Sequence, residues 1–189
     1  MSSNIIGKDG VEPWTTLSSE EVHKNPWFSV TKEEFVTPKG NVGNYYVVHT
    51  KERSRSVMIV PVDGDEILFV RQYRYPTKRW NLEMPGGAVE GDDASEGAAR
   101  KELEEELGFT GVLRKIGEYC PWSGPTDELC SVYLATDLRY VGGNPEETED
   151  LSLVRLKVDE AYRMLDDGVF TEGQTIATLA LARKLLLTE

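Results

Sequence analysis

Apolar and polar positions alternate along much of this chain, and the period of that alternation changes at definite places. Residues 27–36 and 42–49 are rich in β-branched and aromatic side chains and read as two strands. Between them Thr37-Pro38-Lys39-Gly40 has the composition of a turn. Residues 55–62 and 66–73 read as a second strand pair around Asp63-Gly64-Asp65, a hairpin turn. Tyr75-Pro76-Thr77 breaks the run. Residues 94–107 switch to helical periodicity, with Gly108 placed as a C-cap. Strands are predicted again over 112–119, 129–135 and 151–158, with Gly142-Gly143-Asn144-Pro145 as a loop. A short helix over 159–165 ends near Asp166-Asp167-Gly168, and an amphipathic helix over 174–187 closes the chain.

This order predicts an α+β protein with a mixed sheet and about three helices. Residues 1–20 are polar with little periodicity and read as a flexible arm. Residues 21–54 read as a small N-terminal antiparallel β subdomain, and 55–189 as the main domain. With 189 residues the chain is long enough for one sizeable core.

Composition narrows the functions. A net charge of −12 disfavours binding to nucleic-acid polymers. No run of apolar residues approaches the length of a membrane span. Neither a secretory n-region nor a metal-type cysteine spacing is visible, since Cys120 and Cys130 stand alone. A reducing cytoplasm is therefore the expected location. The acidity itself has two readings: solubility, or carboxylates gathered around divalent cations.

Carboxylates are indeed gathered on the predicted helix over 94–107. Glu102, Glu105 and Glu106 have i, i+3, i+4 spacing and share one face within about 100° of arc. Ala99, Leu103 and Leu107 form a neighbouring stripe able to face a core. Each like-charged i, i+4 pair costs roughly 0.2–0.5 kcal/mol on an exposed helix, and a bound cation removes that cost. Oxygen donors of this type suit Mg²⁺, with Mn²⁺ as a substitute. The plainer alternative is a solvated acidic face.

The spacing of loop and helix together resembles the Nudix family. Its signature runs Gly, five residues, Glu, seven residues, Arg-Glu-apolar, one residue, Glu-Glu, one residue, Gly-apolar. Here the series is Gly87, Asp93, Lys101-Glu102-Leu103, Glu105-Glu106 and Gly108-Phe109 at the same spacings. Asp93 replaces the first Glu and Lys101 replaces the Arg. A lysine lacks the bidentate fork with which the family's Arg orders the glutamates. Arg100 points about 100° away on the helix and does not substitute for it. The resemblance implies a Nudix fold, an α/β/α sandwich. It also implies a metal site made by the Gly86 carbonyl, Glu102, Glu105 and Glu106.

Flanking residues resemble the family's ADP-ribose pyrophosphatase branch. The span from Arg71 to Arg79 carries Arg71, Arg74, Lys78 and Arg79 with no acidic residue, a local site for a diphosphate in a very acidic chain. Arg74 matches the branch's phosphate-binding Arg, and Glu83 binds substrate or orients a neighbour. Ser123-Gly124-Pro125-Thr126-Asp127-Glu128 resembles the branch's Ser-Pro-Gly loop with its following Glu, although Gly and Pro are exchanged. The acidic loop Glu146-Glu147-Thr148-Glu149-Asp150 corresponds to the branch's mobile loop, which supplies a general base. Glu147 is favoured, then Glu149, with the helix residue Glu105 as a further catalytic candidate. An N-terminal strand subdomain is typical of the branch and builds a homodimer, in which Trp27 and Phe28 would stack on a base.

The implied reaction is Mg²⁺-dependent hydrolysis of a small nucleotide, ADP-ribose to AMP and ribose 5-phosphate. Two alternatives remain open: hydrolysis of a nucleoside diphosphate sugar of the GDP-mannose type, or a non-catalytic Nudix-fold nucleotide-binding module.

Overall fold

The computed structural model describes residues 13–50, 54–91, 94–142 and 151–187. The chain first forms a three-stranded antiparallel sheet from β1 (Thr15–Lys24), β2 (Phe28–Val36) and β3 (Val42–Thr50). At the β1–β2 turn the Asn25 side-chain oxygen accepts the N–H groups of Trp27 and Phe28 at 2.8 and 3.0 Å, which an asparagine does readily in a tight reversal. The β2–β3 turn lies at Thr37–Gly40 as its composition predicts, with Gly40 at φ +83°. One expectation changes here. Residues 15–20, read as part of an arm, belong to β1. Every residue of that strand is exposed, so no buried stripe marks it in the sequence.

The second sheet contains β4 (Arg55–Asp63), β5 (Glu66–Arg74), β6 (Arg79–Glu83), β7 (Gly86–Ala88), β8 (Phe109–Tyr119), β9 (Leu129–Tyr140) and β10 (Ser152–Lys157). Its main order is β10-β5-β4-β9-β8, with β4 and β9 parallel and the other neighbours antiparallel. Strands β4 and β5 pair only next to their turn, at Val62–Ile67 and Asp63–Glu66. Beyond that they splay. β6 pairs with β5 and β7 pairs with β4, so the segment 79–88 fills the wedge. The wedge is held by Ile59 N–H to the Pro85 carbonyl and by Val89 N–H to the Arg55 carbonyl, both at 2.9 Å. Neither β6 nor β7 is predicted from the residue pattern.

Both faces of this sheet are covered, so its strands read as continuous apolar runs. Val57, Ile59, Leu68 and Val70 pack on one face against Ala99, Leu103 and Leu107 of α1 (Ser95–Leu107). Met58, Val60, Ile67 and Phe69 pack on the other against α2 (Val158–Asp166) and α3 (Gly173–Leu186), through Ala161, Tyr162, Leu179 and Ala182. Helix α1 ends at Gly108 in the left-handed region, φ +75°, where its N–H reaches back to the Glu104 carbonyl. The Gly108 carbonyl then accepts Val141 N–H at 2.8 Å and ties the helix end to the end of β9. Among the described residues, no helix is long and apolar enough to cross a membrane.

The two sheets meet at the loop 121–128. Val48 N–H donates to the Pro125 carbonyl (2.7 Å) and the Tyr45 hydroxyl to the Gly124 carbonyl (2.6 Å). His49 stands between the Thr31 hydroxyl (2.9 Å) and the Asp127 carboxylate (2.8 Å). Burial alone would raise the Asp127 pKa, but the Ser54 hydroxyl and His49 outweigh it and hold the carboxyl below its ordinary 3.8.

Candidate active site

The wedge determines the site. Gly86 and Gly87 run along the open edge of β4, and α1 crosses close to them. Gly86 N–H donates to the Glu106 carboxylate at 3.0 Å. A Cβ at Gly86 would strike the Val57 carbonyl, and one at Gly87 would strike the Glu102 carboxylate. Only glycine permits this approach of backbone to carboxylate.

On α1, Glu102 and Glu106 therefore face the glycine strand, while Glu105 turns toward Lys101. The Lys101 ammonium lies 3.3 Å from Glu90 and 3.8 Å from Glu105. Its pKa is raised, first by the hydrogen bond to Glu90, which together with the charges of Glu105, Glu90 and Glu102 outweighs the opposing effect of burial. Lys101 thus bridges two carboxylates as a point charge. Arg100 points elsewhere as expected, donating to the Gly111 carbonyl (3.0 Å) and to Glu96 (3.4 Å). Asp93 lies outside the described residues, as do Glu147 and Glu149.

Among the described residues, no three His, Cys, Asp or Glu side chains form a metal-holding group by themselves. The donors present are half-buried carboxylate oxygens beside the short glycine strand β7. That donor set fits a hard divalent cation whose shell is completed by water, backbone carbonyl and substrate phosphate.

Arg74 and Glu83 form the best-defined polar contact of the site. Glu83 is buried, yet it accepts Arg74 Nη2 at 2.6 Å, Arg74 Nε at 3.0 Å and Asn81 Nδ2 at 3.0 Å. A buried carboxylate needs such partners, and the planar guanidinium provides two of the bonds at once. Burial tends to lower the Arg74 pKa, but the Glu83 hydrogen bonds and charge raise it overall. Glu83 therefore holds Arg74 in place. Arg71 is not brought to this site. Strand alternation puts Val70, Gln72 and Arg74 on the cleft side, and Arg71 on the opposite side with its guanidinium 5.0 Å from the Trp80 ring.

These groups line a cleft of about 850 Å³, to which Arg55, Arg79 and Glu106 also contribute. A second cavity of about 870 Å³ has an aromatic rim of Trp27, Phe28, Tyr119 and Trp122. The two share Thr50, Glu128 and residues 172–174, so they form one continuous groove. Glu128 is fixed at the junction by the Ser56 hydroxyl, 2.5 Å from its Oε1, and by its own N–H to the Thr126 hydroxyl at 2.8 Å. Glu172 stands opposite, its carboxylate capping α3 through the N–H groups of Gln174 (2.8 Å) and Thr175 (2.6 Å). Trp27 and Glu128 were predicted for the site. Arg55, Ser56 and Glu172 were not. Of the two thiols, Cys120 is exposed on the aromatic cavity, and Cys130 is buried behind it with its pKa pushed up by that burial.

Known proteins resemble the chain along most of its length. The NUDIX domain model matches residues 52–179, and the nucleoside diphosphate sugar hydrolase N-terminal domain model matches residues 14–48. A CMP-5'-(N-acetyl-N-hydroxy-3-aminopropyl)phosphonate hydrolase of Streptomyces rubellomurinus is 28% identical over 89% of this chain and 82% of its own. An ADP-ribose pyrophosphatase of Mycobacterium tuberculosis is 32% identical over 88% and 79%. A solved structure of an ADP compounds hydrolase superimposes with a TM-score of 0.83, covering 95% of this chain and 97% of that one at 24% identity.

Proposed function

The chain belongs to the Nudix family of hydrolases acting on phosphoric anhydride bonds, and on that footing we propose that its substrate is ADP-ribose, cleaved to AMP and ribose 5-phosphate. It has the Nudix fold, joined to a separate small antiparallel sheet. The observation that carries the substrate reading is the continuity of the groove. A charged cleft with Arg74 and Arg79 suits a diphosphate, and the adjoining aromatic rim suits a base. A nucleoside diphosphate carrying a further group has that sequence of chemistries.

In this reading Arg74, aligned by Glu83 and Asn81, binds the diphosphate. Trp27 stacks on the base. Glu128 accepts a sugar hydroxyl at the junction of the two cavities. Glu147 takes the proton of the attacking water, with Glu149 and Glu105 as the alternatives. Glu102, Glu105, Glu106 and the Gly86 carbonyl would hold Mg²⁺, or Mn²⁺ in its place, which supplies charge neutralisation on the diphosphate and acidification of water. The exposed apolar residues of the N-terminal sheet, among them Leu17, Val42 and Tyr46, support a homodimer built through that sheet. The free thiols support a reducing, cytoplasmic location.

A second reading, a nucleoside diphosphate sugar as substrate, is favoured by the N-terminal family match. Phosphate-release assays with Mg²⁺ across ADP-ribose, nucleotide sugars, dinucleotides and nucleoside triphosphates separate the two. ADP-ribose is expected to give the highest kcat/KM, and preference for a sugar nucleotide would replace it with the second reading. Glu106→Gln should abolish turnover while keeping the fold, and near-native activity would remove the metal assignment. Glu147→Gln should lower kcat far more than it raises KM, and an unchanged kcat would move the base to Glu149 or Glu105.

A further inference from the structure

Arg55 has no part in the reading above, and its surroundings are unusual. It opens β4 and lines the charged cleft. Its backbone carbonyl accepts Val89 N–H at 2.9 Å and its Nη2 donates to the Gly91 carbonyl at 3.3 Å. Its Nε is buried and has no hydrogen-bond acceptor among the described residues. A buried donor without an acceptor is rare, because desolvation is then uncompensated.

The strand pairing gives this orphan donor a location. Arg74 stands on the β5–β6 ladder, and Arg55, paired with Leu129 of β9, stands one residue beyond the Ser56–Ala88 pair that ends the β4–β7 ladder. Gly86 and Gly87 lie between them. The cleft therefore carries a guanidinium on each side of the glycine strand. A diphosphate has two phosphoryl groups, and one Arg on each side matches that division. Guanidinium is also the side chain whose planar fork fits a phosphate in a partly desolvated site.

We infer that Arg55 is a second phosphate-binding residue of this cleft, taking the phosphoryl group on the opposite side of Gly86–Gly87 from Arg74. The inference rests on the reading of the cleft as a diphosphate site. Phosphate oxygens entering the cleft draw the guanidinium toward them, so that its enclosed Nε gains the acceptor it lacks, and the Gly91 contact keeps the side chain on the cleft wall until then.

The test uses the full chain. Inorganic pyrophosphate is titrated calorimetrically in EDTA into wild type, Arg55→Gln and Arg55→Lys, and ADP-ribose kinetics are run on the same proteins. Arg55→Gln should weaken pyrophosphate binding and raise KM by about tenfold each, with kcat changed by less than about threefold, the scale of one charge-assisted contact. Arg55→Lys keeps the charge without the fork and should fall between. Unchanged pyrophosphate affinity in Arg55→Gln overturns the inference. So does a loss of kcat at unchanged KM and affinity, which would confine Arg55 to holding the Gly91 loop. Should Arg55→Gln fail to fold, Arg55→Lys decides, and wild-type pyrophosphate affinity in it counts against the inference. A wild-type protein that binds pyrophosphate through Arg55 but turns over no nucleoside diphosphate compound would sink the functional reading and leave this one standing.

Discussion

The two sheets of this protein are stabilised in different ways. In the central sheet, β4, β5 and β9 carry side chains with no accessible surface, and helices close both faces. In the N-terminal sheet no residue of β1, β2 or β3 is buried. Its cohesion comes from strand pairing, from ring contacts such as Trp14 on Phe35 at 4.7 Å, and from its contacts with the loop 121–128. The central sheet stands on its own core. The N-terminal sheet depends on what it touches, and it touches the loop that carries Glu128. The aromatic part of the groove is accordingly the part least fixed by packing.

The sharpest way to probe this contrast is Leu103→Ala. Leu103 is fully buried between α1 and the central sheet, and its loss should cost about 2–5 kcal/mol in denaturant unfolding. A cost comparable to that of an exposed position would mean the central core is not the main source of stability. A smaller effect is expected from Asp127→Asn at the seam. The contacts of Asp127 are half exposed, so the cost should be at most about 1 kcal/mol, read as faster hydrogen exchange in β3. Acid sharpens the same point. The Asp127 carboxyl is held below 3.8 in the folded protein, so its contribution is complete above that pH and fades as pH falls through the lower folded value. Wild type should lose β3 protection over that range, and Asp127→Asn should lack that part of the pH dependence. The smallest change is expected from Tyr46→Ser. Tyr46 is 55% exposed, so global stability should move by less than about 0.5 kcal/mol. The homodimer proposed through this sheet should nevertheless be weakened in sedimentation, and an unaltered association constant or a monomeric wild type would overturn that proposal.

Legibility in the sequence did not follow that division: β2 and β3 could be read from their β-branched and aromatic residues although none of them is buried. Strands β4 and β5 could be read because burial on both faces makes them continuous apolar runs around a turn, and helix α1 because its one buried stripe repeats with the helical period. β1 could not, because its ten residues are all exposed. β6 and β7 could not either. They are short, they follow Tyr75-Pro76-Thr77, and they are strands only because β4 and β5 part to receive them. Within the site, the shared face of Glu102, Glu105 and Glu106 followed from helical spacing, and Arg74 from its motif. Arg71 illustrates a missed inference. Period-two alternation along the predicted strand already separates it from Arg74, and the structure turns it to Trp80. Glu172 carried little signal, since a glutamate before Gly173-Gln174-Thr175 is a weak capping pattern. Arg55 carried none, because its importance lies in an unfilled hydrogen bond that appears only in three dimensions.

The placement of the two cysteines has a practical side. Cys120 opens onto the aromatic cavity, whereas Cys130 is fully enclosed and its thiol resists ionisation. Electrophilic reagents act on exposed thiolates. A maleimide fluorophore should therefore attach at a single point on the rim of the aromatic cavity without any engineered residue, giving an optical reporter of whether that cavity is filled.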